Sequence, residues 1–271
     1  MTGIWGIVNV TPDSFSDGGR YLDVDNAVAH GLRLRHDGAT VLDVGGESTR
    51  PGSARVPVEI ERDRVVPVIS ALAGAGAAVS IDTLNAATAV AAVAAGARIV
   101  NDVSGGLADP DMLAAVAESG ADYAIGHWRG PSDDMYARAE YVRPAREVAA
   151  ELRERVNEAV AAGIAPARII VDPGIGFAKI GGQNWDVLRG MGEITALGYR
   201  VLIGTSRKRF LADALRTATG EDAQTEIPEH RRDLATAVTS ALAASAGAWA
   251  VRVHDVAATR DALAIARAWE G

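Results

Sequence analysis

The sequence predicts a single-domain α/β protein of the (β/α)8, or TIM-barrel, class, with one domain spanning residues 1–271. Short apolar runs alternate with longer segments of helical period along the whole chain. The alternation repeats eight times, and eight units in about 250 residues is the usual size of such a barrel. Each apolar run is followed by residues that hydrogen-bond or carry charge, as expected where the strands of a barrel open onto its functional rim.

Strands are expected at 4–10, 40–44, 78–81, 99–100, 123–125, 169–171, 201–203 and 248–253. Helices are expected at 25–37, 58–75, 85–95, 111–119, 146–162, 185–197, 231–246 and 256–270. The strands are almost continuously apolar, which suits a parallel sheet covered on both faces. Gly38, Gly76, Gly96, Gly120, Gly163 and Gly198 stand where helices end, and Asp109 before Pro110 has the form of an N-cap. An open doubly wound sheet is the competing architecture; the count of eight and the lack of a linker favour the barrel. Residues 217–229 form a polar insertion with no assigned role. Trp5, Trp249 and Trp269 are expected to be structural, and His30 and His36 to lie on an outer helix.

Composition narrows the function. The chain has 271 residues, of which 48% are hydrophobic, enough for a large core, and a formal net charge of -8. That balance argues against a nucleic-acid groove, which needs a clustered basic face. With no cysteine, disulfides, thiolate metal sites and thiol catalysis are excluded. The same lack fits a reducing cytoplasm. The N-terminal residues do not have the pattern of a signal peptide, and no apolar stretch reaches the roughly 18 residues of a membrane helix. The expectation is a cytoplasmic protein acting on small molecules, without nucleic acid or membrane partners.

The strand ends supply the chemistry. They carry Asn9, Asp43 with Glu47, Asp82, Asn101, His127, Asp172, Ser206 with Lys208, and Arg252 with His254. Asp82 and Asp172 can accept from the N–H groups of a flat heterocycle, Asn101 can donate and accept, and Lys208 can donate to a ring oxygen or nitrogen. On the last strand, alternation puts Arg252 and His254 on one face, where they suit an anion. The alternative for Arg252 is a surface salt bridge with Asp255. Two long polar loops, 11–21 and 47–56, have the character of lids, and Phe15 lies in the first. No Walker loop and no dinucleotide fingerprint is present.

These residues fall in motifs with a known counterpart. Residues 7–19 (Ile-Val-Asn-Val-Thr-Pro-Asp-Ser-Phe-Ser-Asp-Gly-Gly) and 43–52 (Asp-Val-Gly-Gly-Glu-Ser-Thr-Arg-Pro-Gly) resemble the two signatures of dihydropteroate synthases. Ser80-Ile81-Asp82-Thr83, Asn101-Asp102-Val103-Ser104-Gly105, the run from Asp172 to Lys179, Ser206-Arg207-Lys208 and the run from Arg252 to Val256 follow in that family's order. The resemblance covers nearly the whole chain. It implies that Asp82, Asn101, Asp172 and Lys208 hold a pterin, and that Asn9, Arg252 and His254 bind pyrophosphate with a Mg2+ ion at Asn9. It also implies that Thr49, Arg50, Pro51, Ser206 and Phe177 surround the two ring sites, and that Asp13, Phe15 and Ser16 ride on a closing loop. Lys208, Arg252, His254 and Asp82 are then the catalytic set. The implied reaction joins a pterin pyrophosphate to p-aminobenzoate by an SN1-like displacement, in a homodimer. A non-catalytic paralogue and a pterin-dependent methyltransferase are the alternatives. The chain departs from the family after the fifth strand. There Gly126-His127-Trp128 stands where Met-His-Met is common, so no pterin contact is assigned to Gly126. Any N-terminal hairpin plugging the barrel floor is expected to be short or missing.

Overall fold

A computed structural model describes residues 1–11, 20–47, 56–130 and 136–271. Eight parallel strands close into a barrel in sequence order. They are β1 (Gly3–Asn9), β2 (Val41–Gly45), β3 (Val79–Asp82), β4 (Ile99–Asp102), β5 (Asp122–Gly126), β6 (Ile169–Asp172), β7 (Arg200–Ile203) and β8 (Ala250–Val253). Closure comes from β1 pairing with β2 on one side and β8 on the other, with Gly3 opposite Ala250 and Gly6 opposite Val253. The described helices outside it are α1 (Arg20–Asp37), α2 (Val58–Gly74), α3 (Ala86–Ala94), α4 (Met112–Ser119), α5 (Pro144–Ala161), α6 (Gly182–Arg189), α7 (Met191–Thr195), α8 (Arg209–Thr219), α9 (Glu229–Ser245) and α10 (Val256–Glu270).

Alternation along each strand divides the apolar residues into two cores. One lies between the strands and the helices and includes Val8, Val44, Ile81 and Val253. The other fills the barrel floor with Trp5, Val41, Ile99, Ala124, Ile170, Leu202 and Ala250. Trp5 is fully buried, and Trp249 meets it edge to face at 6.2 Å between ring centres. Burying one indole contributes roughly 4–6 kcal/mol of transfer free energy at ~25 cal/mol/Å2. The floor is thus closed by side chains of the strands themselves. Trp269 differs from expectation: it is 90% exposed on α10.

Several predicted boundaries move. The expected helix at 185–197 is two helices, α6 and α7, joined at Gly190. A Cβ on Gly190 would lie 2.3 Å from that of Ala145 on α5, so the chain has no room for a side chain where the two elements cross. Helix α8 was not anticipated; it takes the first residues of the supposed insertion, and Gly220 ends it in the left-handed region at φ +67. Asp109 serves two helices: its carboxylate accepts from the backbone N–H of Ala86, which opens α3, at 2.8 Å, and from that of Asp111, just before α4, at 3.0 Å.

Candidate active site

The C-terminal ends of the strands collect a set of charged side chains that the apolar floor leaves uncovered. Alternation aims Asp43, Asp82, Asn101, Asp172 and Arg252 into the barrel above the floor residues. Arg252 crosses the mouth. Its Nε donates to Asp43 Oδ2 at 2.5 Å and its Nη2 to Asp82 Oδ2 at 2.6 Å. Asn101 donates to the same Asp43 oxygen at 3.1 Å. Four strands, β2, β3, β4 and β8, are therefore linked by one network of side chains. Burial pushes Asp82 up to about 7; Arg252 opposes that rise, while Asp43, Glu61 and Asp102 add to it. Burial also works against the charge on Arg252, but Asp43 and Asp82 outweigh it and raise its pKa further. Ionised Asp82 thus depends on Arg252.

A second group sits on the opposite side. Asp172 ends β6 and accepts from the backbone N–H of Gly174 at 2.7 Å. Burial raises its pKa, against the pull of Lys208. Lys208 lies at the start of α8, donates to the carbonyl of Ile175 and stands 4.6 Å from the centre of the Phe177 ring. Burial lowers Lys208 to about 8, with Asp172 opposing. Gly204, just past β7, lies between the two cations: a Cβ there would be in ordinary contact with Arg252 Cβ at 3.8 Å and Lys208 Nζ at 3.9 Å. Gly176 is the constrained glycine, since its φ is +84 and its Cβ would sit 2.8 Å from Lys208 Cδ.

Beyond β8, His254 Nδ1 is 2.8 Å from Ser206 Oγ, and the same hydroxyl accepts from the His254 backbone N–H. Arg252 makes no surface salt bridge with Asp255: it turns inward to Asp43 and Asp82, and Asp255 caps α10 by accepting from Ala258 N–H. Asn9 ends β1 half-buried, opposite Gly45. Asn9, Asp82, Asn101, Asp172, Phe177, Ser206, Lys208, Arg252 and His254 all lie at this one end of the barrel. Phe15, Thr49, Arg50 and Pro51 lie outside the described residues, as do Asp13 and Ser16.

Sequence reasoning missed two residues. Asp43 is fully buried and holds both Arg252 and Asn101, yet it was read as one strand-end polar residue among others. Its partner Arg252 is 209 residues away, so no local pattern could pair them. Lys179 carries no signal in the sequence beyond its place at the end of the run from Asp172. It is 2% exposed, and its ammonium donates to the carbonyls of Gly174 (2.9 Å) and Phe177 (3.0 Å), fixing the loop that carries Phe177.

His127, expected among the rim residues, turns away from the barrel. Its Nδ1 faces Lys179 Nζ at 3.1 Å and its Nε2 faces Glu151 of α5 at 3.0 Å, while Glu151 also pairs with Arg129. Burial, and then Lys179, lower His127 to about 4. A neutral ring with its proton on Nε2 satisfies both contacts. Glu61 of α2 is buried beneath the rim and accepts from Thr83, Asn85 and Thr88 at 2.6–2.8 Å, anchoring the turn that follows Asp82.

Comparison with known proteins places this geometry. A family model described as "Pterin binding enzyme" matches residues 5–254. The dihydropteroate synthase of Mycobacterium leprae is 52% identical over 265 residues, covering 97% of this chain and 92% of that protein. Two solved structures of Xanthomonas albilineans dihydropteroate synthase superpose over 100% of the chain. One, with 4-aminobenzoic acid, has a TM-score of 0.88 at 43% identity and is covered over 93% of its length. The other, in complex with 7,8-dihydropteroate, has a TM-score of 0.85 at 40% identity and is covered over 94%. A closed eight-stranded barrel, an inward-facing set of carboxylates and cations at its C-terminal rim, and likeness across nearly the full length of these enzymes together identify the chain as a member of the dihydropteroate synthase family of pterin-binding enzymes.

Proposed function

We propose that the protein is a transferase that condenses 6-hydroxymethyl-7,8-dihydropterin pyrophosphate with p-aminobenzoate, giving 7,8-dihydropteroate and pyrophosphate. The observation that carries this reading is the pairing of buried acceptors, Asp82 and Asp172, with the cations Arg252 and Lys208 around one cavity mouth. A pterin ring presents N–H donors along one edge and a carbonyl oxygen beside them. Asp82 and Asp172 accept from the donors, Asn101 reads the mixed edge, and Lys208 donates to the ring. Hydrogen bonds made in such a buried site are sheltered from competing water.

In the displacement, the bond from the pterin methylene carbon to the pyrophosphate oxygen breaks and its electron pair leaves with the oxygen. The aniline nitrogen then supplies a pair to that carbon and loses one proton. Such a step needs a stabilised leaving group and a positioned cation more than a nucleophilic side chain. Arg252 and His254 hold the departing phosphates. Asp82 and Asp172 place negative charge near the cationic centre. Ser206 and Phe177 belong to the surroundings of the two ring sites; the family resemblance adds Thr49, Arg50, Pro51 and Phe15, which lie outside the described residues.

Asn9 offers a hard amide oxygen at the rim, and among the described residues no cluster of three His, Cys, Asp or Glu forms a metal cage. That donor set fits Mg2+, which takes few protein ligands and keeps several waters and phosphate oxygens. When bound, the ion neutralises part of the pyrophosphate charge.

The protein also pairs with a second copy of itself through α9 and α10. Leu234, Val238 and Leu242 follow one another at helical spacing on α9 and are 50–65% exposed, and Ile265 and Trp269 on α10 are 72% and 90% exposed. Apolar groups of that size leave water when a partner covers them. Light scattering on the wild type and on Leu242→Glu tests this: a dimer that becomes a monomer is expected, and a monomeric wild type overturns it. Among the described residues no helix is long and apolar enough to cross a membrane, and substrates of this polarity fit a cytoplasmic enzyme without nucleic-acid partners.

The decisive experiment mixes purified protein, Mg2+ and both substrates and follows dihydropteroate by chromatography, with a sulfonamide as competitor of p-aminobenzoate. Absence of product from a folded protein that receives both substrates overturns the proposal.

A further inference from the structure

Arg207 stands between two residues assigned above to substrate, Ser206 and Lys208, and its backbone lies in the left-handed region at φ +56. Side chains rarely adopt that region, and a residue held there is kept by its surroundings. The hydrogen-bond partners of Arg207 belong to α9, and Asp255 beyond β8 adds a favourable charge. The guanidinium makes a two-pronged contact with Asp233, Nε to Oδ1 at 2.7 Å and Nη2 to Oδ2 at 2.9 Å. Its Nη1 donates to Glu229 at 2.5 Å, and the Arg207 backbone N–H donates to Thr236 Oγ1 at 3.1 Å. Two residues earlier in the turn, Thr205 Oγ1 meets Thr239 Oγ1 at 2.9 Å. The turn from Thr205 to Lys208 is therefore docked along α9 at successive helical turns. It is closed by the Lys208 N–H donating to the Thr205 carbonyl.

The left-handed residue sets the angle between its neighbours. On one side Ser206 Oγ reaches His254, and on the other Lys208 reaches Ile175 and lies over Phe177. If Arg207 relaxed to an ordinary φ, the peptide planes on both sides would rotate and both side chains would be re-aimed. We infer that Arg207 is a positioning residue. Its fork on Asp233 holds the left-handed turn that aims Ser206 and Lys208 into the site. Asp233 is 9% exposed, so the contact is shielded from water rather than a loose surface pair. The inference rests on the roles given above to Ser206 and Lys208, and its test separates from that of the reaction itself.

The backbone conformation supplies the test. Glycine accepts φ +56 without an anchor, whereas alanine does not. Arg207→Ala loses the fork and keeps the steric penalty; Arg207→Gly loses the fork and the penalty together. Arg207→Ala is expected to lower kcat about tenfold or more, since ~1 Å of misplacement costs up to ~100-fold. Arg207→Gly is expected to recover at least about fivefold of that loss, and Asp233→Asn to fall near Arg207→Ala. Thermal unfolding of each variant sets an assay temperature at which all are folded. A staple that serves stability alone predicts lower melting temperatures with unchanged kcat in all three. That result, or an Arg207→Gly no better than Arg207→Ala, overturns the inference. The same order is expected in the Kd of a dihydropterin measured by calorimetry, which reads the turn even if the wild type makes no dihydropteroate.

Discussion

Arg252 on β8 lies 2.6 Å from Asp82 on β3, and the same guanidinium holds Asp43 on β2 at 2.5 Å. One cation thus serves two carboxylates that are almost fully shielded from water. Removing it leaves both without a counter-charge, the situation in which a broken buried pair costs about 3–5 kcal/mol. Arg252→Ala is therefore expected to lose stability on that scale as well as at least ~100-fold in turnover, the scale for one transition-state electrostatic group. The two losses respond differently to pH. Asp82 already titrates near 7 through burial, and without Arg252 it rises further. A folded-state pKa above the unfolded value means that the folded variant binds more protons, so its stability increases as pH falls through that pKa. Urea melts at pH 8 and pH 5.5 should show the gap to wild type narrowing at the lower pH. An unchanged gap would mean that Asp82 does not depend on Arg252.

Lys208 yields a separate pH signature. Burial brings it down to about 8, with Asp172 holding it from falling further. Its charge is present below that value and lost above it. kcat/KM is expected to decline as pH rises past 8, and Lys208→Arg, which cannot deprotonate in this range, should move the alkaline limb upward even where its maximal rate is lower. Lys208→Ala should cost at least ~100-fold at pH 7. A pH profile identical in wild type and Lys208→Arg would assign the alkaline limb to another group.

The fold was legible because its signal is repeated. Eight apolar runs with intervening helical periods leave little choice of architecture, and glycines such as Gly120, at φ +74, end helices where they were expected. The strands from β2 to β6 run past the C-terminal ends of the apolar runs, whereas β7 and β8 end where expected and β1 ends at Asn9, short of Val10. β3, β4 and β6 each continue into Asp82, Asn101-Asp102 and Asp172, because the backbone of a polar residue makes ladder hydrogen bonds whichever way its side chain faces. The site was legible where strand-end residues coincide with chemistry, as at Asp82 and Arg252. It was not legible where a role depends on a partner distant in sequence. Asp43 needs Arg252, Lys179 needs His127, and Arg207 needs Asp233; none of these pairs leaves a periodic trace.

Lys179 is the buried cation that the proposed reaction does not use. Burial lowers it to about 7, with Asp172 and Glu151 opposing and Lys208 and Arg129 adding to the fall. The unfolded chain keeps this proton up to about pH 10.4. Between those values the unfolded state binds more protons, so stability rises with pH across the window. Lys179→Met removes this contribution. The stability of wild type relative to the variant should therefore be higher at pH 9.5 than at pH 7, by at least ~1 kcal/mol. Lys208 has the same sign, but it is present in both proteins and largely cancels. Equal differences at the two pH values would show that Lys179 is solvated more than its surroundings indicate.

Gly126 ends β5 against the turn that follows β4. It lies opposite Asp172 in the sheet, and a Cβ on it would stand 2.5 Å from both Cα and the carbonyl oxygen of Val103. Those are backbone atoms of the segment that follows β4, two residues beyond Asn101. That segment is itself fixed, because Asp102 accepts from Ser104, Gly106 and Tyr123 at 2.6–2.8 Å. A side chain at 126 thus has to displace a pinned turn rather than a flexible tip. Gly126→Ala should destabilise the protein by about 1–3 kcal/mol, the range for overpacking in a close-packed interior. Because the displaced turn begins beside Asn101, dihydropterin affinity measured by calorimetry should fall as well, while Ser206 and His254 across the barrel stay in place. A larger side chain meets the same backbone atoms, so Gly126→Met should cost more stability in urea melts than Gly126→Ala. Equal melting of wild type and both variants would show that the close approach of these backbones does not set the choice of glycine.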